Sequence, residues 1–257
     1  MMKPETIIRT ENLSIGYGHK VIMRDLTFDI PKGDIFIIMG GSGCGKSTLL
    51  RTLTGLIPAH TGRIWIQEKD FINARPKEKL EIIKRSGILY QGGALFSSMT
   101  LAENVALPLQ QYTAYRRDKI EQIVSFKLAL VGLAGYEDYY PSEISGGMRK
   151  RAGLARALAL DPEIVYFDEP SAGLDPVSSK NLDDLILEIN KTLGTTIIVV
   201  THELASIFAI GKNSIFLDKT TQTISARGNP AALLENPPNE QIYEFLTRGA
   251  QYEKGTK

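Results

Sequence analysis

Ile35-Phe36-Ile37-Ile38-Met39 is an unbroken apolar run, the pattern of a strand buried on both faces. It leads directly into Gly40-Gly41-Ser42-Gly43-Cys44-Gly45-Lys46-Ser47, two glycines five apart followed by Lys and Ser. This composition suits one task. Glycines let successive backbone N–H groups curl inward into an anion nest, and no Cβ stands in the way of a phosphate. A helix predicted over Ser47 to Leu56, stopped near Pro58, would add its positive N-terminal end. In this pattern Lys46 is the residue that neutralises terminal phosphates and the Ser47 hydroxyl is a Mg²⁺ ligand, with Thr48 following them into the site. A chance match in a chain of this size is on the order of one in a hundred at average residue frequencies.

Working outward, Pro31-Lys32-Gly33-Asp34 is a turn by composition. Before it come the strand-like runs Ile7-Ile8, Leu13-Ser14-Ile15 and Val21 to Ile30. Further buried-strand candidates are Gly87 to Tyr90, Ile164 to Phe167 and Thr195 to Val200, with a helical stretch from Val177 to Leu193. Strands alternating with helices predict an α/β fold with a largely parallel sheet. Leu101 to Gly135 is helical in pattern with no buried strand, so a helical subdomain inserted in the α/β core is expected there. The tail after Gly249 is polar and expected to be loose.

Ile164-Val165-Tyr166-Phe167-Asp168-Glu169 is an apolar strand ending in two carboxylates. Strand tips at the C-terminal edge of a parallel sheet are where ligands bind. Asp168 is a candidate Mg²⁺ ligand and Glu169 a candidate for polarising an attacking water. Ser145-Gly146-Gly147, leading into Met148-Arg149-Lys150-Arg151, places a capping serine and two glycines at a helix start about twenty residues upstream. Cys44 is open to two readings: a small residue tolerated at a variable loop position, or a redox-sensitive thiol at a helix N-terminus.

Taken together, these motifs resemble the ATP-binding cassette (ABC) family, over about residues 6 to 228 and in the family's order. The resemblance implies a P-loop NTPase core with a mainly parallel sheet, an N-terminal antiparallel β subdomain and an inserted helical subdomain. The expected layout is a single ATPase domain over residues 6–249. Within it, core and β subdomain span about 6–90 and 160–228, the helical subdomain spans about 92–158, and residues 250–257 form the tail.

By resemblance, Tyr17 is the adenine-stacking aromatic, Gln91 the glutamine opening the linker to the helical subdomain and a further Mg²⁺ ligand, and Ser145 to Met148 the signature loop. Ser171-Ala172-Gly173-Leu174-Asp175 looks like the loop crossing the dimer interface, and His202 like the histidine that senses the γ-phosphate. The implied catalytic set is Glu169, His202, Gln91 and Lys46. ATP and Mg²⁺ are the implied cofactors, held by Tyr17, residues 40–48 and Ser145, Gly146 and Gly147. His19 and His60 match no family motif and read as solvent-facing loop residues.

One departure is informative. The family's commonest signature ends in glutamine, and Met148 stands there instead, preceded by Ile144. Methionine after Ser-Gly-Gly is similar to the branch serving Mce-type lipid transporters, including the bacterial maintenance-of-lipid-asymmetry system. Gly93-Ala94-Leu95-Phe96, Asn104-Val105 and Pro108-Leu109 resemble that branch's segment facing its membrane partner, while Phe96, Met99 and Leu101 also fit an ordinary core. The expectation is an ATP-hydrolysing subunit energising phospholipid transport between bacterial membranes, peripheral on the cytoplasmic face of the inner membrane. One phosphate loop and one signature per chain imply a second copy, and separate permease subunits and an Mce-domain protein are expected partners.

Composition limits the alternatives. Lysine and arginine total 30 against 29 acids, a net charge of +1, so no field for phosphate backbones covers the whole chain and a nucleic-acid partner would have to rely on a local patch; with the family reading, none is expected. Hydrophobic residues at 43% and charged ones at 23% exclude bulk disorder. The single cysteine excludes an internal disulfide and fits a reducing compartment. Apolar runs fall short of the roughly 18 residues a membrane span requires, and the N-terminus lacks a signal-peptide apolar region. The alternatives weighed are ABC-type ATPases of nucleic-acid repair, translation, cell division or cofactor assembly.

Overall fold

A computed structural model of the chain describes residues 5–249, so the expected loose tail at 250–257 lies outside the described residues. The chain forms two compact units, one holding the chain up to Asn73 and again from Val200 onward, the other Ala74–Val199. No helix among the described residues is long and apolar enough to cross a membrane.

The first unit opens with β1 (Thr6–Tyr17) and β2 (Lys20–Pro31), followed by β3 (Ile35–Gly40), α1 (Lys46–Leu53), β4 (Thr61–Ile66) and β5 (Lys69–Asp70). Strands β1, β2, β4 and β5 form an antiparallel sheet in the order β2-β1-β4-β5. The two short runs seen at Ile7-Ile8 and Leu13 to Ile15 are one strand. The pairing with β2 shifts register between Thr10 and Leu13, and Asn12 takes a left-handed φ of 46°. The extra residues break the period-2 alternation that would have joined the runs in the sequence. Ile8, Leu13 and Ile15 nonetheless all reach the core at 0% exposure.

All six residues of β3 are buried, as its apolar run predicts. Helix α1 ends three residues before the predicted Leu56. Thr54 turns its hydroxyl back to the Leu50 and Arg51 carbonyls, and Gly55 takes a left-handed φ of 75°. A left-handed glycine after the last turn is the common helix stop.

The second unit contains α2 (Pro76–Lys84), β6 (Ser86–Leu89), α3 (Leu101–Tyr112), α4 (Arg117–Leu130), α5 (Gly146–Ala157), β7 (Ile164–Asp168), α6 (Pro176–Leu193) and β8 (Thr196–Val200). Its strands run in the order β8-β7-β6, with β6 and β7 parallel. The stretch read as helical is α3 and α4. Leu101, Val105 and Leu109 of α3 and Ile120, Val124 and Leu128 of α4 recur every four residues and are all buried. Each such side chain is worth about 1.5–3 kcal/mol of transfer free energy. Helix α5 lies against β6 at Gly87, where a Cβ would meet the Ala157 carbonyl oxygen at 2.2 Å.

The chain then returns to the first unit with α7 (Leu204–Ile210), β9 (Asn213–Asp218), β10 (Thr223–Gly228), α8 (Pro230–Glu235) and α9 (Glu240–Thr247). There β9 pairs parallel with β3 from Phe36–Asn213 to Gly40–Leu217 and antiparallel with β10. The result is mixed α/β, with parallel pairing around the glycine-rich loop and an antiparallel N-terminal sheet. Both were expected.

Candidate nucleotide site

The glycine-rich loop emerges from the tip of β3. Gly40, Gly43 and Gly45 take φ values of 149°, 71° and 100°, a region that side-chain-bearing residues rarely adopt. At Gly40 a Cβ would meet the Leu217 carbonyl oxygen at 2.5 Å and Cys44 Sγ at 2.7 Å, so β9 and the loop itself leave room only for glycine. Gly41 and Gly43 face open space instead, which is the room an incoming phosphate needs.

Lys46 starts α1, is 8% exposed, and donates from Nζ to the Gly40 and Gly41 carbonyls at 2.9 and 3.0 Å. These bonds hold the ammonium against the loop. No side chain caps α1 at Gly45, and the first turn carries no acidic residue, so its positive end is left to an anion. Ser47 is half-buried behind Lys46, and Thr48 is buried. Cys44 is 1% exposed and burial pushes its thiol up from the ordinary range, the opposite of an activated thiolate. Its second reading, as a redox sensor, therefore finds no support.

Tyr17, at the end of β1, keeps 45% of its surface exposed and accepts a hydrogen bond on its hydroxyl from Arg51 Nη1 at 3.1 Å. Arg51 lies on α1, so one unit carries the aromatic and the loop together. His202 is exposed in the segment before α7, next to Thr201, whose N–H donates to the Ile38 carbonyl of β3 at 3.4 Å. His19 is exposed, as expected, whereas His60 is half-buried and donates its backbone N–H to the Ser14 carbonyl at 2.9 Å.

The other candidates stand on the second unit. Asp168 closes β7 and is 8% exposed. Glu169, half-buried, takes a left-handed φ of 50° that turns the chain sharply off the strand. Gln91 is exposed two residues past β6, at the start of a loop in which Gly93 and Ala94 take φ values of 77° and 49°. Asp175 caps α6 by accepting from the Val177 and Ser178 N–H groups, both at 3.0 Å, and the Ser178 side chain first, with these backbone bonds behind it, holds its carboxyl below the usual range.

Ser145 caps α5, its Oγ accepting from the Met148 N–H at 3.2 Å. A Cβ on Gly146 or Gly147 would meet its neighbours no closer than 3.7 and 3.8 Å. The chain's own packing therefore gives no reason for two glycines here, where each costs helix stability relative to alanine.

The sequence reading missed the basic residues of α5. Lys150, 5% exposed, donates to the Glu169 and Ala172 carbonyls at 3.3 and 2.8 Å. Arg156, its guanidinium pKa lowered by burial, donates to the Ala94 and Gly93 carbonyls at 2.8 and 3.1 Å. No local sequence signal announces either pairing, because donors and acceptors are far apart in the chain.

Of the segment after Gln91, Leu101 is core and Phe96 is 51% exposed. The fully buried Asn104 ties the intervening loop together, accepting from the Phe96 N–H and donating to the Phe96, Met99 and Thr100 carbonyls. Beside it opens a groove of about 490 Å³ whose lining includes Ile83, Tyr90, Phe96, Pro108 and Tyr112.

The donors of each unit suit the expected ligands. On the first, backbone N–H groups and an ammonium suit phosphate oxygens and the Ser47 hydroxyl is a hard-cation ligand; on the second, the Asp168 carboxylate is a ligand of the same kind.

Comparison with known proteins agrees. Residues 23–172 match the family model described as ABC transporter. The chain is 39% identical to the intermembrane phospholipid transport system ATP-binding protein MlaF of Haemophilus influenzae, over 94% of this chain and 90% of the relative. It is 48% identical to the probable ribonucleotide transport ATP-binding protein Mkl of Mycobacterium leprae over 76% of this chain, a match that spans only 56% of that relative. A dimeric ATP-binding cassette solved in a post-hydrolysis state with ADP and Pi superposes with a TM-score of 0.77 at 26% identity, covering 86% of this chain and 98% of that one. With its phosphate loop, signature cap and acidic strand tip in family order, the chain belongs to the ABC transporter family, as an ATPase domain of the cassette type.

Proposed function

We propose that this chain is the ATP-hydrolysing subunit of a transporter that moves phospholipid between bacterial membranes, of the maintenance-of-lipid-asymmetry or Mce type. The observation that carries the choice is coverage. The similarity to MlaF extends over 94% of this chain and 90% of that relative, whereas the Mkl match leaves much of its relative unaccounted for. Met148 after Ser-Gly-Gly supports the same branch.

In this reading residues 6–249 are one cassette. The backbone N–H groups of residues 40–45, the N-terminus of α1 and Lys46 hold the phosphates of ATP, and Tyr17 stacks on the base. Ser47, Asp168 and Gln91 are the residues that would hold Mg²⁺, and the ion would supply neutralisation of charge on the phosphate oxygens. Glu169 accepts a proton from the attacking water while His202 contacts the γ-phosphate. Catalysis of this kind rests on positioning and electrostatics.

Ser145 and Gly147 complete the site of a second copy, which supplies a reason for glycines that the chain's own packing does not need. The half-exposed Phe96 and its apolar groove face a permease subunit that carries the chain on the cytoplasmic face of the inner membrane, with an Mce-domain protein as a further partner. The test is to purify the chain with its native membrane partners in nanodiscs and follow ATP turnover against lipid supply. Turnover that responds to phospholipid and is lost with Lys46→Ala is expected. Turnover that answers only to a small polar solute would refute the lipid assignment.

A further inference from the structure

Glu169 must aim a carboxylate from an awkward piece of backbone. Its φ of 50° lies in the left-handed region, where a side chain crowds its own carbonyl and the conformation persists only if the surroundings enforce it. Part of the enforcement is local, since the Ala172 N–H donates to the Glu169 carbonyl at 3.2 Å and closes the turn. A further part comes from Lys150, whose Nζ donates to that same Glu169 carbonyl at 3.3 Å and to the Ala172 carbonyl at 2.8 Å. One ammonium thus pins both ends of the turn.

A charge at 5% exposure is costly to bury, and charge-assisted bonds to carbonyls are stronger than neutral ones. Lys150 also stands on the helix that Ser145 caps, so the signature serine and the ammonium that pins the carboxylate turn share one rigid element.

We infer that Lys150 is a positioning residue for ATP hydrolysis: it holds the left-handed turn that aims the Glu169 carboxylate and ties that aim to the signature helix α5. The inference rests on the reading of Glu169 as the base, and the experiment separates the two.

Steady-state ATP turnover of the full chain is measured above the concentration giving half-maximal specific activity, for Glu169→Gln, Lys150→Met, Lys150→Gln and the double variant Lys150→Met with Glu169→Gln. Glu169→Gln comes first, and if it keeps near-normal turnover the base assignment falls. With that variant inactive, Lys150→Met is expected to lower kcat roughly 10- to 100-fold and to leave the KM for ATP within about twofold, as a misaimed group does. Lys150→Gln, whose amide offers two donors for the two carbonyls, is expected to recover kcat to within about threefold of the parent.

In the double variant, single-turnover rates should match Glu169→Gln alone, because Lys150 acts through that carboxylate. A merely structural lysine would shift the thermal midpoint without this pattern. The proposal is overturned if Lys150→Met keeps kcat within about twofold, or if it lowers the rate by the same factor in the Glu169→Gln background. Should Lys150→Met fail to fold, Lys150→Ser, which leaves water room at both carbonyls, carries the same readings. If neither folds, Lys150 maintains the fold rather than the aim, and the proposal falls.

Discussion

Gly147 and Gly153 lie on the same helix, α5, and alanine at the two positions should act with opposite signs. At Gly147 an added Cβ would sit 3.8 Å from Ser178, an ordinary contact, so nothing in the chain opposes it. Replacing a helical glycine gains up to about 1 kcal/mol, and less in a first turn, so a gain of about 0.5 kcal/mol and a midpoint rise of about 1–2 °C are expected. At Gly153 the Cβ would lie 2.8 Å from both the Gly93 carbonyl oxygen and Leu89 Cδ1. Overpacking of that kind costs about 1–3 kcal/mol, a fall of several degrees.

Turnover separates stability from function. If Gly147 closes on the nucleotide of a second copy, the stabilised Gly147→Ala chain should lose at least about tenfold in kcat/KM, or about 1.4 kcal/mol of transition-state binding. Calorimetric unfolding and steady-state ATP hydrolysis on the same preparations give both numbers. A Gly147→Ala chain that is stabler and fully active would refute the reasoning about the partner face. An unchanged midpoint for Gly153→Ala would refute the packing of α5 on the Gln91 loop.

Three further outcomes follow from the site and its surroundings. Lys46→Ala should abolish ATP binding and hydrolysis together, whereas Tyr17→Ala should weaken affinity by about 1–3 kcal/mol if the ring stacks on the base; calorimetric titration reads both. Glu169→Gln should keep nucleotide affinity and lose roughly 10²–10⁴-fold in turnover, accumulating as an ATP-bound dimer detectable by size-exclusion chromatography. Asp218 is desolvated, which alone would raise its pKa, but bonds from Gln241, Thr220 and Thr221 bring it down from 3.8 to about 2. A depressed carboxyl stabilises the fold above its unfolded pKa and loses that contribution as pH falls through the folded one. Urea midpoints of parent and Asp218→Asn should therefore differ at neutral pH and converge as pH drops from 3.8 toward 2.

Much of the candidate site was legible in the sequence because its parts are contiguous. The nest, the lysine and the helix start occupy residues 40–48, and each part is dictated by its own residue type: glycine for positive φ, lysine for charge, an uncapped helix for its dipole. The same holds for Ser145, which caps the helix it begins, and for β3 and β7, whose apolar runs leave no other placement. Strands that alternate poorly were harder. β1 was split by its register shift, and β4, β9 and β10 drew no expectation, although β9 supplies the carbonyl that makes Gly40 obligatory.

Only tertiary structure decided what holds the loops. Lys150 reaches carbonyls 19 and 22 residues away, Arg156 reaches back 62 and 63 residues, and Arg51 finds Tyr17 across 34. A basic residue on a helix face looks alike in sequence whether it meets water or a backbone carbonyl. Which it meets is set by the packing of helix on strand, and that packing arises from apolar burial summed over the whole unit rather than from any residue near the lysine.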